Sequence, residues 1–136
     1  MIPIDGERTP LVRTDFSDDH AWESVIDAVS KPSVHGFLAN LNPVNDHRYD
    51  NADPVELAKK ANSSTDLTLL IVADSRTMSE PQIPLLCVDP IPPGGQFRCI
   101  PAELWGVENN VSLANMDFGE FASAVDADGV FRGFKD

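Results

Sequence analysis

Leu67 to Ala73, L-T-L-L-I-V-A, is a nearly continuous apolar run. A run without polar alternation belongs to a strand covered on both faces, and such strands sit inside a sheet with helices packed on either side. The surrounding sequence supplies those partners. Leu11 to Phe16 reads as a short strand, and residues 37–44, F-L-A-N-L-N-P-V, as another. Between them Ser17 caps a helix whose Asp18 and Asp19 suit the positive end of the helix dipole. Trp22, Val25, Ile26 and Val29 recur at helical spacing until Lys31-Pro32 stops the pattern. Asp53-Pro54-Val55-Glu56 combines a cap, a proline at the first helical position and a capping-box glutamate, and opens a second helix through about Ala61. The polar segment 45–52 and the segment 74–84 read as loops.

Further on, Leu85 to Val88 and Phe97 to Ile100 read as strands joined by a proline-glycine turn, a hairpin centred on Pro93. A helix from Ala102 to about Asn110 follows. Asp117-Phe118-Gly119-Glu120 has capping-box spacing, and Phe118, Phe121, Ala122 and Val125 then keep a helical period up to Asp128-Gly129. Val130 to Phe134 is a short strand or a docked tail. The expectation is one α/β domain over residues 11–136 behind an irregular arm at 1–10, with a mixed sheet of about five to six strands and about four helices.

With 22 Asp and Glu against 10 Lys and Arg, the chain carries a formal charge of −12. That field repels phosphate backbones and anionic lipid, which argues against nucleic-acid or membrane partners. No basic stretch leads into an apolar one at the N-terminus, and no apolar run reaches membrane-span length, so a cytoplasmic protein is expected. Cys87 and Cys99 flank the turn; a cross-strand disulfide is conceivable, and two reduced half-buried thiols are the simpler reading. The histidines, His20, His35 and His47, are dispersed, so no metal site is indicated. A glycine-rich phosphate loop is missing too, so no cofactor is expected.

Chemistry has to come from side chains set where a ligand can reach them. Open α/β sheets bind ligands beyond the carboxyl ends of their strands, which selects Arg13 and Asp15 after the first strand and Asp74 and Arg76 after the central one. The plainer reading makes Asp15 a helix-capping residue and Asp74 the start of a turn. The stretch Trp105 to Phe121 sets polar groups inside an apolar pattern: Val107, Val111, Leu113, Met116 and Phe118 ask for burial, with Glu108, Asn110, Asn115 and Asp117 between them. Each such group needs a partner or a cleft, because an unpaired buried polar group costs ~1–3 kcal/mol. Glu108, Asn110 and Asn115, with Arg13 and Asp15, are the catalytic candidates; Trp105, Trp22, Asp74 and Arg76 are the candidates for holding substrate. The structural alternative is that the amides and acid tie loops to the sheet and the tryptophans belong to the core.

L-V-R-T-D-F-S-D-D-H-A-W at 11–22, P-A-E-L-W-G-V-E-N-N-V-S-L-A-N-M-D-F-G-E-F-A at 101–122 and D-G-V-F-R-G-F at 128–134 resemble an uncharacterised domain-of-unknown-function family of small proteins, mainly actinomycete with some fungal members. The resemblance implies a small stand-alone domain and brings no reaction, cofactor or catalytic residue with it. Two functions fit the residues. One is a cofactor-independent enzyme or binding protein for a small apolar metabolite, suited to cyclisation, isomerisation or dehydration. The other is an acidic protein-interaction module that meets a basic protein through Asp18, Asp19, Glu23 and Asp27.

Overall fold

The computed structural model describes residues 8–33, 36–64, 67–91 and 94–134. Six strands form one mixed sheet in the order β2-β1-β3-β4-β5-β6. They are β1 (Thr9–Arg13), β2 (Leu41–Val44), β3 (Leu70–Ala73), β4 (Leu85–Val88), β5 (Gln96–Cys99) and β6 (Val130–Phe131). The helices are α1 (Asp19–Val29), α2 (Pro54–Ser64), α3 (Ser75–Ser79), α4 (Pro101–Ser112) and α5 (Phe118–Ala122), with a single 3-10 turn at His47–Tyr49. β1 runs parallel to both β2 and β3; β4 alone is antiparallel to its neighbours, and β6 is again parallel to β5.

Strand alternation divides the core in two. Leu11, Ile71, Ala73, Leu85, Cys87, Phe97 and Cys99 face one side, where Trp22 and Val25 of α1, Leu104 and Val107 of α4, and Phe118 and Phe121 of α5 pack on them. Val12, Val44, Leu70, Val72, Leu86 and Val88 face the other, covered by Leu57, Ala58 and Ala61 of α2 with Tyr49. The two crossovers leaving β1 and β2 thus lie on opposite faces, the arrangement of a doubly wound sheet. β3 has all four residues buried, as its apolar run requires.

Prolines in the sheet sit where a missing donor is harmless. Thr9 N donates to Asn40 O at 2.9 Å, which sets the phase of the parallel ladder so that Pro43 turns its nitrogen to the open edge of β2. Pro10 faces β3 one step before that pairing begins at Leu11.

Several boundaries differ from the sequence reading. β1 begins at Thr9, inside the expected arm, and residues 1–7 lie outside the described part. Asp18, not Ser17, caps α1, its Oδ1 accepting from His20 N and Ala21 N. Residues 74–84 hold α3, started by a reciprocal bond pair between Asp74 and Thr77. α5 ends at Ala122, earlier than Asp128. His35 and the expected turn centre Pro93 lie outside the described residues. Cys87 pairs with Phe97 and Cys99 with Leu85, so the cysteines are diagonal neighbours on one face, and both are free thiols.

Candidate functional site

The carboxyl end of β1 is filled by the chain itself. Arg13 is 2% exposed, an unusual place for a guanidinium, and every edge of it is used. Nε donates to Asp15 O at 2.8 Å, Nη1 to Asn45 Oδ1 at 3.3 Å and Nη2 to Asp19 Oδ1 at 2.9 Å. The Phe16 ring lies 4.4 Å from the guanidinium carbon and Trp22 5.7 Å, so the cation is held between aromatic faces. Thr14 N donates to Ala73 O at 3.0 Å, and Thr14 O accepts from Asn51 N at 2.8 Å, which folds the 45–52 loop over the crevice between β1 and β3. Asp15 turns its carboxylate to Ser17, accepting from N at 2.9 Å and Oγ at 2.7 Å.

The strand-end candidates Arg13 and Asp15, and Asp74 and Arg76, do not bond side chain to side chain within each set. Arg13 meets only the Asp15 carbonyl and takes Asp19 as its counter-ion. Asp74 caps α3 and therefore points back at the helix start, where the Arg98 guanidinium reaches it with two bonds of 2.9 and 2.7 Å. Burial pushes the Asp74 carboxyl up, but the bonds from Arg98 and from Thr77 outweigh it and hold the group below the usual carboxylate range. Arg76, the second residue of α3, bonds Glu80 at 2.5 Å and Asp128 O at 3.3 Å. Between these groups Pro84 O accepts from Arg98 at 3.0 Å and from the Thr77 hydroxyl at 2.9 Å. The preceding Ile83 is held at φ 53°, a strained conformation for a β-branched residue.

The polar groups of 105–117 are also committed inward or spent on helix ends. Glu108 is 6% exposed. Its Oε1 accepts from Asn40 N at 2.6 Å, and its Oε2 from Ser112 Oγ at 2.7 Å and Thr9 Oγ1 at 3.3 Å. It fastens α4 to the approach to β2 and the start of β1. Asn110 donates from Nδ2 to Gly106 O at 2.8 Å, and its own carbonyl accepts from Asn115 N at 2.9 Å. Ala114 N donates to Val111 O at 3.1 Å, and Ala114 stands at φ 58°. Together these bonds are a Schellman motif with alanine in the left-handed position. Asn115 is thus the exposed residue after a helix stop, and Leu113, expected to be buried, is 64% exposed because the stop rotates it outward. Glu120 then closes the next cap by accepting from Asp117 N at 2.9 Å.

Trp22 belongs to the core at 7% exposed. Trp105 is half-buried and stacks on Phe37 with ring centres 4.7 Å apart and planes 13° from parallel.

Among the described residues, two clefts stand out elsewhere. One, of about 310 Å³, lies between α2 and the β4–β5 connection, walled by Val55, Ala58, Val88 and Pro90 with Lys59, Asp89 and Gln96 as its polar side chains. The other, of about 170 Å³, lies between α1 and the segment leading into β2. Neither is lined by residues 105–117. The larger cleft was hidden in the sequence because its wall joins α2 to residues some thirty positions on; the Gly94-Gly95 pair was its only local sign. Among the described residues no three His, Cys, Asp or Glu side chains gather to hold a metal ion, and no helix is long and apolar enough to cross a membrane. Burial raises the Cys87 thiol to about 12 and the Cys99 thiol well above its ordinary value, so neither is a ready nucleophile.

Fold and site together define a small doubly wound α/β domain with one reversed strand, with Arg13 and Glu108 drawn inward and clefts at the margins of the sheet. The chain belongs to the family described as a domain of unknown function, DUF6924, whose model matches residues 8–134. No curated protein matches it.

Proposed function

We propose that this domain is a cofactor-independent binding protein for a small, largely apolar molecule, held in the cleft between α2 and the β4–β5 connection. The observation that carries the reading is the cleft itself: about 310 Å³, within the range of small-molecule sites, with apolar walls and a few polar side chains. Lys59 offers a cation to an acidic or carbonyl oxygen, since its ion pair with Glu56, 3.6 Å long, is solvent-exposed and weak. Cyclisation, isomerisation and dehydration need little beyond shape, orientation and one or two polar groups, and Lys59 and Asp89 are the groups the cleft offers for them. The finding that Glu108, Asn110 and Arg13 are bonded within the fold moves the reading away from them and toward this cleft.

A thermal-shift screen against small apolar compounds, with and without a carboxylate, tests it. A stabilising compound is expected, and Val55→Asp, a change at a half-exposed wall position, should abolish the shift while the variant stays folded. A shift that persists in Val55→Asp, or none across the series, overturns the reading.

A second reading, an acidic module for a basic protein partner, is favoured by the outward Asp18, Asp19, Glu23 and Asp27 of α1 and by the net charge of −12. We propose a cytoplasmic location, a reducing compartment that two buried free thiols would suit.

A further inference from the structure

Resting on the second reading, of an acidic module, we infer that the cleft between α1 and the β2 edge is a docking site for a basic amphipathic helix of a partner protein. It is independent of the small-molecule cleft, which lies on the opposite face of the sheet against α2. Its walls are Ile26, Val29, Leu38, Ala39, Leu41 and Pro43. Beside it Phe37 and Leu38 are 50% and 51% exposed, and Phe37 is backed by the flat face of Trp105. The segment carrying them is fixed in place at Asn40 by Glu108. A rigid aromatic and aliphatic platform of this kind, open to water, is the usual core of an interface.

Charge selects the partner. At 100° per residue, Glu23 and Asp27 lie on the flank of Ile26 and Ser30, the flank that meets the cleft, in line with Asp19, whose charge is already matched by Arg13. The other flank carries Ala21, Ser24 and Ala28, all uncharged, and the last turn of α1 has no basic residue. The cleft is thus apolar at its floor and acidic along one rim, complementary to a surface with an apolar stripe bordered by Lys or Arg. Backbone chemistry selects a helix. A strand adding to β2 would need donors along the open edge, and Pro43 removes one from the middle of a four-residue strand. A helix needs only side-chain contacts.

The test uses a synthetic Lys/Leu amphipathic helical peptide, with a Glu/Leu peptide of the same pattern as control, titrated against the whole protein at low and high salt. Trp105 provides an intrinsic signal at the cleft, and Trp105→Phe should remove it while the buried Trp22 stays silent. The Lys/Leu peptide is expected to bind, more weakly at high salt, and about tenfold more weakly to Leu38→Gln and to Glu23→Lys/Asp27→Lys. Glu56→Lys, an exposed charge reversal on α2, should leave binding unchanged. No binding, or equal loss in Glu56→Lys, overturns the proposal; binding that is insensitive to Leu38→Gln does so too. Val55→Asp, which tests the small-molecule cleft, should leave the peptide affinity intact, so the two readings fail separately.

Discussion

The Glu108 carboxylate on α4 accepts the Asn40 backbone N–H at 2.6 Å, linking positions 68 residues apart. Two hydroxyls, from Ser112 and Thr9, complete its shell. Glu108→Ala leaves three donors behind, and is expected to cost about 2–3 kcal/mol of unfolding free energy in urea titrations. Glu108→Gln keeps an acceptor for Asn40 and should cost about 1 kcal/mol. Ligand-induced thermal shifts should survive in both; a variant of full stability that no longer binds would make Glu108 a ligand group.

Ala114 occupies the left-handed position of the stop after α4, at φ 58°. A Cβ there costs energy that glycine avoids, so Ala114→Gly is expected to stabilise by about 0.5–1 kcal/mol. Since Ala114 is exposed, no packing is lost in exchange. An unchanged or lowered midpoint in a denaturant series would contradict the assignment of this motif.

Asp74 and Arg98 are bonded twice, with side chains 23% and 15% exposed. Asp74→Asn strands the guanidinium and should cost about 2–3 kcal/mol near neutral pH. The pH dependence follows from the lowered carboxyl. Its contribution is complete above the ordinary aspartate value of about 4, because both folded and unfolded states are then ionised. As pH falls toward the folded value the unfolded chain takes up the proton first, and stability drains away. The gap between wild type and Asp74→Asn should therefore narrow on acidification, as read from chemical denaturation across a pH series.

Tyr49 is 8% exposed, and among the described residues its hydroxyl is a buried polar atom without a hydrogen-bond partner. Burial also raises its ionisation above the ordinary value. Tyr49→Phe should be neutral to stabilising by up to ~1 kcal/mol, because it deletes an unpaid desolvation. A loss of stability would reveal a partner such as an internal water.

What the sequence made legible were the elements with strong patterns. The all-apolar β3 and the Trp22, Val25, Val29 stripe of α1 lie where periodicity put them. α3 was missed because five residues are too few to show a period, and its one marker, the Asp74 and Thr77 spacing, also suits a turn. Within 105–117, Glu108 is buried and bonded, and its partners stand on β1 and before β2, a proximity only the folded chain creates, whereas Asn115 and Asp117 are exposed because the helix stop at Ala114 breaks the apolar pattern they were read from. Arg13 was placed at the right end of the right strand; nothing local told that Asn45 and Asp19 would use it up.

The strand order also bears on how the chain is made. β1 lies inside the sheet between β2 and β3, yet it emerges first during synthesis. Its first neighbour is complete only at Val44 and its second only at Ala73. The nascent chain carries a buried-type strand without its second hydrogen-bonded flank until Ala73 has been made, a long closure that favours late, concerted assembly. Trimming the chain through Arg13 would accordingly remove not a tail but the axis about which both crossovers wind.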